Sequence, residues 1–197
     1  MRGHERLKEQ SKKMIEDALL ELMGEKEFAS ITISEIAKRA DVARRTFYRL
    51  YRKKEDVLSG YLEKLCLDYK ERYGALSRYD VLRISMDFFE FWYGHREVLL
   101  LLHRRGLDEM VYGEIGRSSL DVVRNRMAGG MGKGMGKAEE LEYFAVYSAG
   151  GFANLLRRWV DEGMRGTPEE YGREVGNALG QFLLPEVISF GQAKLSD

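Results

Sequence analysis

The sequence predicts an all-α protein of about nine helices, with a small N-terminal unit followed by a larger helical bundle. Three observations carry this. Apolar residues recur at i, i+3, i+4 and i+7 through most of the chain, and alternating stretches closed by hairpin turns are missing. The 197 residues include only two prolines, Pro168 and Pro185. Gly24, Gly74, Gly94, Gly106 and Gly163 fall where the periodic segments stop. With 44% hydrophobic and 32% charged residues, the composition is that of a globular chain able to bury one sizeable core, or a small domain joined to a larger one.

The first helix runs from about Leu7 to Met23, with Ile15, Ala18, Leu19 and Leu22 on one face, and Gly24 ends it. Phe28 anchors a short connection. Thr32-Ile33-Ser34-Glu35 opens the second helix as a capping box, in which the Thr32 hydroxyl accepts from the Glu35 amide and the carboxylate reaches back. Ile33, Ile36, Ala37 and Ala40 form its buried stripe. Asp41 stands where the chain must turn sharply, and aspartate tolerates left-handed backbone better than most residues. Ala43 to Leu50 make the third helix. The fourth, about Lys54 to Tyr73, carries Leu58, Tyr61, Leu62, Leu65 and Tyr69 on one side and spans roughly 30 Å. Gly74 marks a border, so residues 1–53 are expected as one domain, 54–73 as a linking helix and 74–197 as a second domain.

Beyond the border, helices are expected near Tyr79–Tyr93, Arg96–Arg104 and Leu107–Met127. The segment from Gly129 to Gly136 holds too much glycine for a helix and is expected as a loop. A long helix follows, about Ala138 to Glu162. Thr167-Pro168-Glu169-Glu170 then supplies a cap, a proline at the first helical position and acids in the first turn. That last helix is expected to reach Leu184, before Pro185.

Several function classes find no support. No apolar run approaches the roughly 18 to 20 residues of a membrane span. The charged start, Met1 to Arg6, leads into no apolar segment of a secretion signal, and a single cysteine, Cys66, suits a reducing cytoplasm. His95 and His103 lack the spacing of a helical metal pair, and neither a phosphate loop nor a nucleophile elbow occurs. Neither catalytic groups nor a cofactor is expected.

Charge is balanced overall, at 32 basic and 32 acidic residues, but unevenly placed. Between Lys38 and Lys54 stand eight basic residues and one acid, Asp41. Such a run is often only a solvated face. Spacing decides otherwise here. Projected at 100° per residue, Arg44, Tyr48, Arg45 and Arg49 fall between 0° and about 140°, while Ala43, Phe47 and Leu50 fall between about 240° and 300°. A helix that reads DNA needs this division, its back docked on other helices and its front in the major groove. Arg44 and Arg45 carry planar forks for guanine edges or phosphates. Tyr48 offers a hydroxyl to the DNA backbone, Arg49 adds charge, and Thr46 reaches a flanking phosphate. Thr32 sits among free amides at a helix start, which attract phosphate, and Lys54 is placed to grip the same strand from the other side.

Thr32-Ile33-Ser34-Glu35-Ile36-Ala37, then Ala40-Asp41-Val42, Thr46-Phe47-Tyr48, Tyr51 and Lys54-Glu55-Asp56 resemble the signature of the TetR-type repressor family, over about the first 60 residues. The resemblance implies a bacterial, cytoplasmic regulator, a helical homodimer whose subunits pair a helix-turn-helix domain with an effector-binding and dimerisation domain. It places double-stranded DNA contacts on Thr32, Arg44, Arg45, Thr46, Tyr48 and Lys54. The chain departs from the family at Asp41, where glycine is usual, at Ala43, near which a capping residue is usual, and at Leu50 and Lys53. Missing caps cost roughly 0.5–2 kcal/mol each, so a recognition unit of reduced local stability is expected.

In the second half, Trp159 with Gly163 and then Thr167-Pro168-Glu169-Glu170 resemble a subgroup common in Gram-positive bacteria. The helix with Phe152, Leu155, Leu156 and Trp159, and the next with Val175, Leu179 and Phe182, resemble the pair that forms a dimeric four-helix bundle. Gly150 and Gly151 would let helices approach closely, or are simple helix defects. Phe88, Phe89 and Trp92, with Met110 or Tyr112, are expected to border a cavity for a small apolar effector. Ordinary core packing accounts for such an aromatic cluster as well. The sequence thus points to a ligand-responsive repressor that binds a palindromic site, with a protein-interaction adaptor of secondary DNA affinity as the alternative.

Overall fold

A computed structural model describes residues 2–73, 81–128 and 138–182. The expectations at Gly74, the 129–136 loop, Pro185 and the Phe182 side chain lie outside the described residues. Among the described residues the chain is helical without strands: α1 (Arg2–Glu25), a 3₁₀ turn (Phe28–Ser30), α2 (Ile33–Arg39), α3 (Arg44–Leu50), α4 (Lys54–Tyr73), α5 (Val81–Gly94), α6 (Arg96–Arg104), α7 (Asp108–Ala128), α8 (Ala138–Asp161) and α9 (Pro168–Phe182).

The largest shift from expectation is at α1, which starts at Arg2 instead of Leu7. Residues 5–10 are exposed, so no apolar periodicity announces this turn. Glu5, Arg6, Leu7, Lys8, Glu9 and Gln10 are instead good helix formers in their own right. Deeper in α1, Ile15, Leu19 and Met23 are buried against Ile36 of α2, Phe47 of α3 and Leu58 of α4. α4 crosses from this small bundle into the larger one, with Val57, Leu58 and Leu62 buried towards its start and Leu65 and Cys66 further on.

In the larger bundle α5 lies along α9, and α7 along α8. The α5–α9 approach is closest at Gly172 and Gly176, where an added Cβ would stand 2.7 Å from the Cα atoms of Met86 and Leu82. Gly150 and Gly151, expected to serve close helix approach, meet nothing within 4 Å and lie on an outward face. Close packing in this subunit thus falls on a different pair of glycines.

Trp159 anchors the aromatic core. Its ring stacks on Tyr171 at 4.8 Å and on Tyr93 at 5.5 Å, and Phe89 meets it edge-on at 5.7 Å. Its indole N–H donates to the Arg165 carbonyl at 2.9 Å, fastening the turn after α8, where Gly163 and Met164 both take positive φ. Thr167 caps the start of α9, as the sequence predicts, and Glu170 accepts from the Thr167 amide in return, making the cap reciprocal.

Two of the residues expected at a dimer surface are taken up by the subunit's own core. Leu156 and Trp159 are 0% and 1% exposed within one subunit, and Phe152, Leu155 and Val175 pack on the same core. Leu179 is half-buried. The most apolar side of a helix is claimed first by a subunit's own core, which is why Leu156 and Trp159 are not available to a second copy. The outward side of α8 carries Tyr143, Phe144, Val146 and Tyr147, all more than half exposed.

Candidate DNA interface and effector cavity

The recognition helix is held from behind. Phe47 is fully buried and touches the rings of Tyr48 and Tyr51 at 5.8 and 5.9 Å. Tyr51, just past α3, donates its hydroxyl to the buried Glu16 carboxylate of α1 at 3.2 Å, and Lys64 of α4 reaches the same carboxylate at 3.1 Å. Burial, then Glu16, pushes the Tyr51 hydroxyl far above its ordinary value, so it stays protonated and keeps donating. One buried acid therefore ties α1, the end of α3 and α4 together.

The front of α3 is open. Arg44, Arg45 and Arg49 are exposed, Tyr48 is 51% exposed, and Thr46 is half-buried beside them. Arg44 lies over the Tyr48 ring at 6.0 Å. This is the division that the helical projection requires, with Phe47 inward and the arginines outward.

α2 is set by its N-terminus. Thr32 Oγ1 accepts from the Glu35 amide at 3.3 Å, and Glu35 accepts from the Thr32 amide at 2.9 Å, completing the expected capping box. Lys26 from α1's end, then the Thr32 amide and hydroxyl, hold the Glu35 carboxyl down at about 2. Asp41 takes φ of +51° between α2 and α3, the left-handed turn expected of it. α3 itself follows Ala43, a cap residue without a side-chain hydrogen bond, whose carbonyl accepts from the Thr46 and Phe47 amides. At the start of α4, Asp56 accepts from the Arg52 and Lys53 amides, both at 3.1 Å.

Two members of the basic run have other employment. Arg39 is paired with Glu25 and Glu21 of α1. Lys54 directs its ammonium at the carbonyls of Phe28, Ala29 and Ile31, at 2.5, 3.0 and 2.9 Å, and lies 4.7 Å from the Phe28 ring. An ammonium has three protons, and all three are engaged. The expected phosphate grip of Lys54 thus gives way to a structural tie between α4 and the 3₁₀ turn. Its carbonyl partners lie more than 20 residues away, beyond the reach of local sequence patterns.

A second tie escaped the sequence altogether. Arg105, at the end of α6, donates to the Met23 carbonyl at 2.7 Å, to Glu27 at 2.5 Å and to the Gly24 carbonyl at 3.4 Å. It thereby caps the open end of α1 from the larger bundle, satisfying carbonyls that the helix cannot satisfy itself.

Between α4, α5, α7 and α8 lies a cavity of about 200 Å³. Of the five residues expected around an effector, Phe88 and Trp92 line it. Phe89 turns instead into the Trp159–Tyr171 stack. Met110 packs against the core, and Tyr112 lies under the Arg157 guanidinium at 4.5 Å. Lining residues that sequence reasoning missed include Cys66 and Lys70 of α4 and Ser118 of α7. Burial, then Glu114, pushes the Cys66 thiol up to about 12, so it carries no thiolate chemistry at neutral pH.

A capped two-helix turn that presents a basic helix, backed by a separate helical bundle with its own cavity, is the architecture of a helix-turn-helix head on a helical body. Residues 15–60 match the family described as bacterial regulatory proteins, tetR family. The whole described chain has the corresponding fold, an N-terminal helix-turn-helix domain and a helical C-terminal domain. Among solved structures it is similar to the fatty acid degradation regulator FadR from Bacillus halodurans, with TM-score 0.57 and 18% identity over 88% of this chain and 96% of that one. It is also similar to the transcriptional regulator FadR from Bacillus subtilis in complex with stearoyl-CoA, with TM-score 0.51 and 17% identity over 85% of this chain and 96% of that one. No curated protein sequence matches the chain. Among the described residues, no helix is long and apolar enough to cross a membrane.

Proposed function

We propose that the chain is a cytoplasmic, ligand-responsive repressor that binds a palindromic operator as a homodimer. The observation that carries this reading is the open basic face of α3, Arg44, Arg45, Tyr48 and Arg49, opposite a fully buried Phe47. Arg45 reads a base edge, and Thr32, Arg44, Thr46, Tyr48 and Arg49 hold the flanking phosphates. Lys54 serves this site by positioning, since it fixes the start of α4 against the turn below Thr32.

Two copies place two heads about 34–36 Å apart, one turn of DNA, which gives the palindrome its logic. The outward stripe of α8, Tyr143, Val146 and Tyr147, is the surface that supports pairing. The cavity beside Phe88 and Trp92 is the effector site. The complex of the Bacillus subtilis FadR with stearoyl-CoA supports an effector with an apolar part. Occupation of the cavity moves α4, whose Cys66 and Lys70 line it and whose start carries the head, and the change in head spacing releases DNA.

The test is binding of the full chain to its own upstream DNA by fluorescence anisotropy at several salt concentrations. Specific, salt-sensitive binding to a palindrome is expected. Arg45→Ala is expected to lose about 1–3 kcal/mol on that site and to relax base preference at one position in each half-site. Equal losses on all sequences would reassign Arg45 to the backbone, and absence of any specific site would overturn the regulator reading.

A further inference from the structure

Residues 21–31, the end of α1 and the 3₁₀ turn, gather ties from three other helices. Glu21 and Glu25 pair with Arg39 of α2. Lys26 meets Glu35 of the α2 capping box at 2.5 Å, and Glu35 in turn accepts from the Thr32 amide and hydroxyl. The Phe28, Ala29 and Ile31 carbonyls take the Lys54 ammonium at the start of α4. These ties stay within the head and the helix that leads from it. The Arg105 tie comes from the larger bundle, onto the Met23 and Gly24 carbonyls and Glu27. It is firm on its own side too. The Arg105 amide donates to the Leu101 and Leu102 carbonyls, both at 3.1 Å, and the Leu107 amide closes the turn onto Leu102 at 2.9 Å, around Gly106 at φ +65°. The Arg105 side chain is only 17% exposed.

The head runs into the larger bundle through α4, one continuous helix. Twisting and bending of a single helix are soft motions, so α4 alone fixes the head's distance better than its angle. A second anchor on another element removes that freedom. An arginine fork suits this task, because it fixes direction as well as distance, whereas an ammonium acts as a point charge. From α6 to Thr32 the path crosses two ion pairs on adjacent residues, Arg105 with Glu27 and Lys26 with Glu35. Angle matters to a palindrome. One extra base pair between half-sites moves them about 3.4 Å apart and turns one by about 35° against the other.

Resting on the reading of the chain as a dimeric DNA-binding regulator, we propose that Arg105 is a positioning residue for operator recognition. It sets the angle of each head on its bundle, and so the half-site spacing that the dimer accepts. Arg105 itself touches no DNA and acts through the ends of α1 and α2. Its loss leaves each head able to read a half-site and removes the demand for one spacing.

Fluorescence anisotropy of the full-length chain on three duplexes tests this: the palindrome, a single half-site, and the palindrome with one base pair inserted between its halves. The unaltered protein is expected to lose about tenfold or more in affinity on the lengthened site. Arg105→Gln is expected to bind the half-site within about twofold of the unaltered protein and the palindrome about tenfold more weakly. Its preference between the two palindromes is expected to shrink to about threefold or less. Arg105→Lys, which keeps a charge on Glu27 and loses the fork, falls between the two. Glu27→Gln spares the carbonyl bonds and carries the same test in weaker form should Arg105→Gln fail to fold. Equal weakening on half-site and palindrome would make Arg105 a residue of stability alone and overturn the inference. A spacing preference unchanged in all three variants would do the same, with the regulator reading intact. So would an unaltered protein that is indifferent to the extra base pair. Absence of any specific duplex overturns both.

Discussion

At the scale of single residues, the head departs from the tetR-family pattern it resembles at positions where backbone geometry and capping are at stake. Asp41 holds φ of +51°, a conformation that costs a residue with a Cβ and costs glycine nothing. Asp41→Gly is accordingly expected to stabilise the protein by about 0.5–1 kcal/mol, read as a raised urea midpoint with unchanged slope; a lowered midpoint would mean that the aspartate side chain is itself holding the turn. Lys54 invites the opposite experiment. Lys54→Ala removes three hydrogen bonds from a charged donor and should cost about 1–3 kcal/mol of stability. Its DNA affinity should fall on every sequence while the salt slope stays put. A slope smaller by about one would show a phosphate contact after all. These two residues mark the range of what sequence reveals. The turn at Asp41 is local, encoded by its neighbours, and was legible. The partners of Lys54 are carbonyls that only folding brings near.

Among the secondary-structure elements, legibility follows the same rule. Helices with an apolar stripe or a strong cap, such as α2 and α9, were evident from their own residues, because period and capping act within a few positions. The extra turn of α1 was not, since propensity alone drives it. The pairing of α5 with α9 was also hidden, because close approach depends on which glycine faces which backbone. Gly176→Ala tests that contact. With Leu82 Cα at 2.7 Å from the new Cβ, overpacking is expected to cost about 1–3 kcal/mol. Gly116→Ala on α7 meets nothing within 4 Å and should gain up to about 1 kcal/mol from helix propensity. Thermal unfolding of both variants separates a packing glycine from an ordinary one, and equal effects would dissolve the distinction.

For the whole molecule, the proposed homodimer raises the question of which surface meets a second copy. Hydrophobicity pointed to Leu156 and Trp159, which the subunit keeps for itself, and exposure points to Tyr143, Val146 and Tyr147. Tyr147→Glu is expected to convert a dimer to a monomer in light scattering after size exclusion, and to cost most of the affinity for a palindrome while leaving half-site binding intact. A variant that remains dimeric would place the interface elsewhere. The charge on the front of α3 was readable because it is dense and periodic. The cavity's lining was readable only in part, since Lys70 and Ser118 come from helices far apart in sequence and share no motif.

The Arg105 clasp bears on whether the reading head is portable. Its guanidinium finishes a helix that begins at Arg2, although it belongs to a segment about 80 positions later. A fragment cut after α4 would leave the Met23 and Gly24 carbonyls to water and Glu27 without its cation. Grafting the head onto another partner therefore means transplanting a substitute plug for that helix end. In the intact chain, the same clasp fastens the end of α6 to the end of α1, so a displacement of one pulls directly on the other.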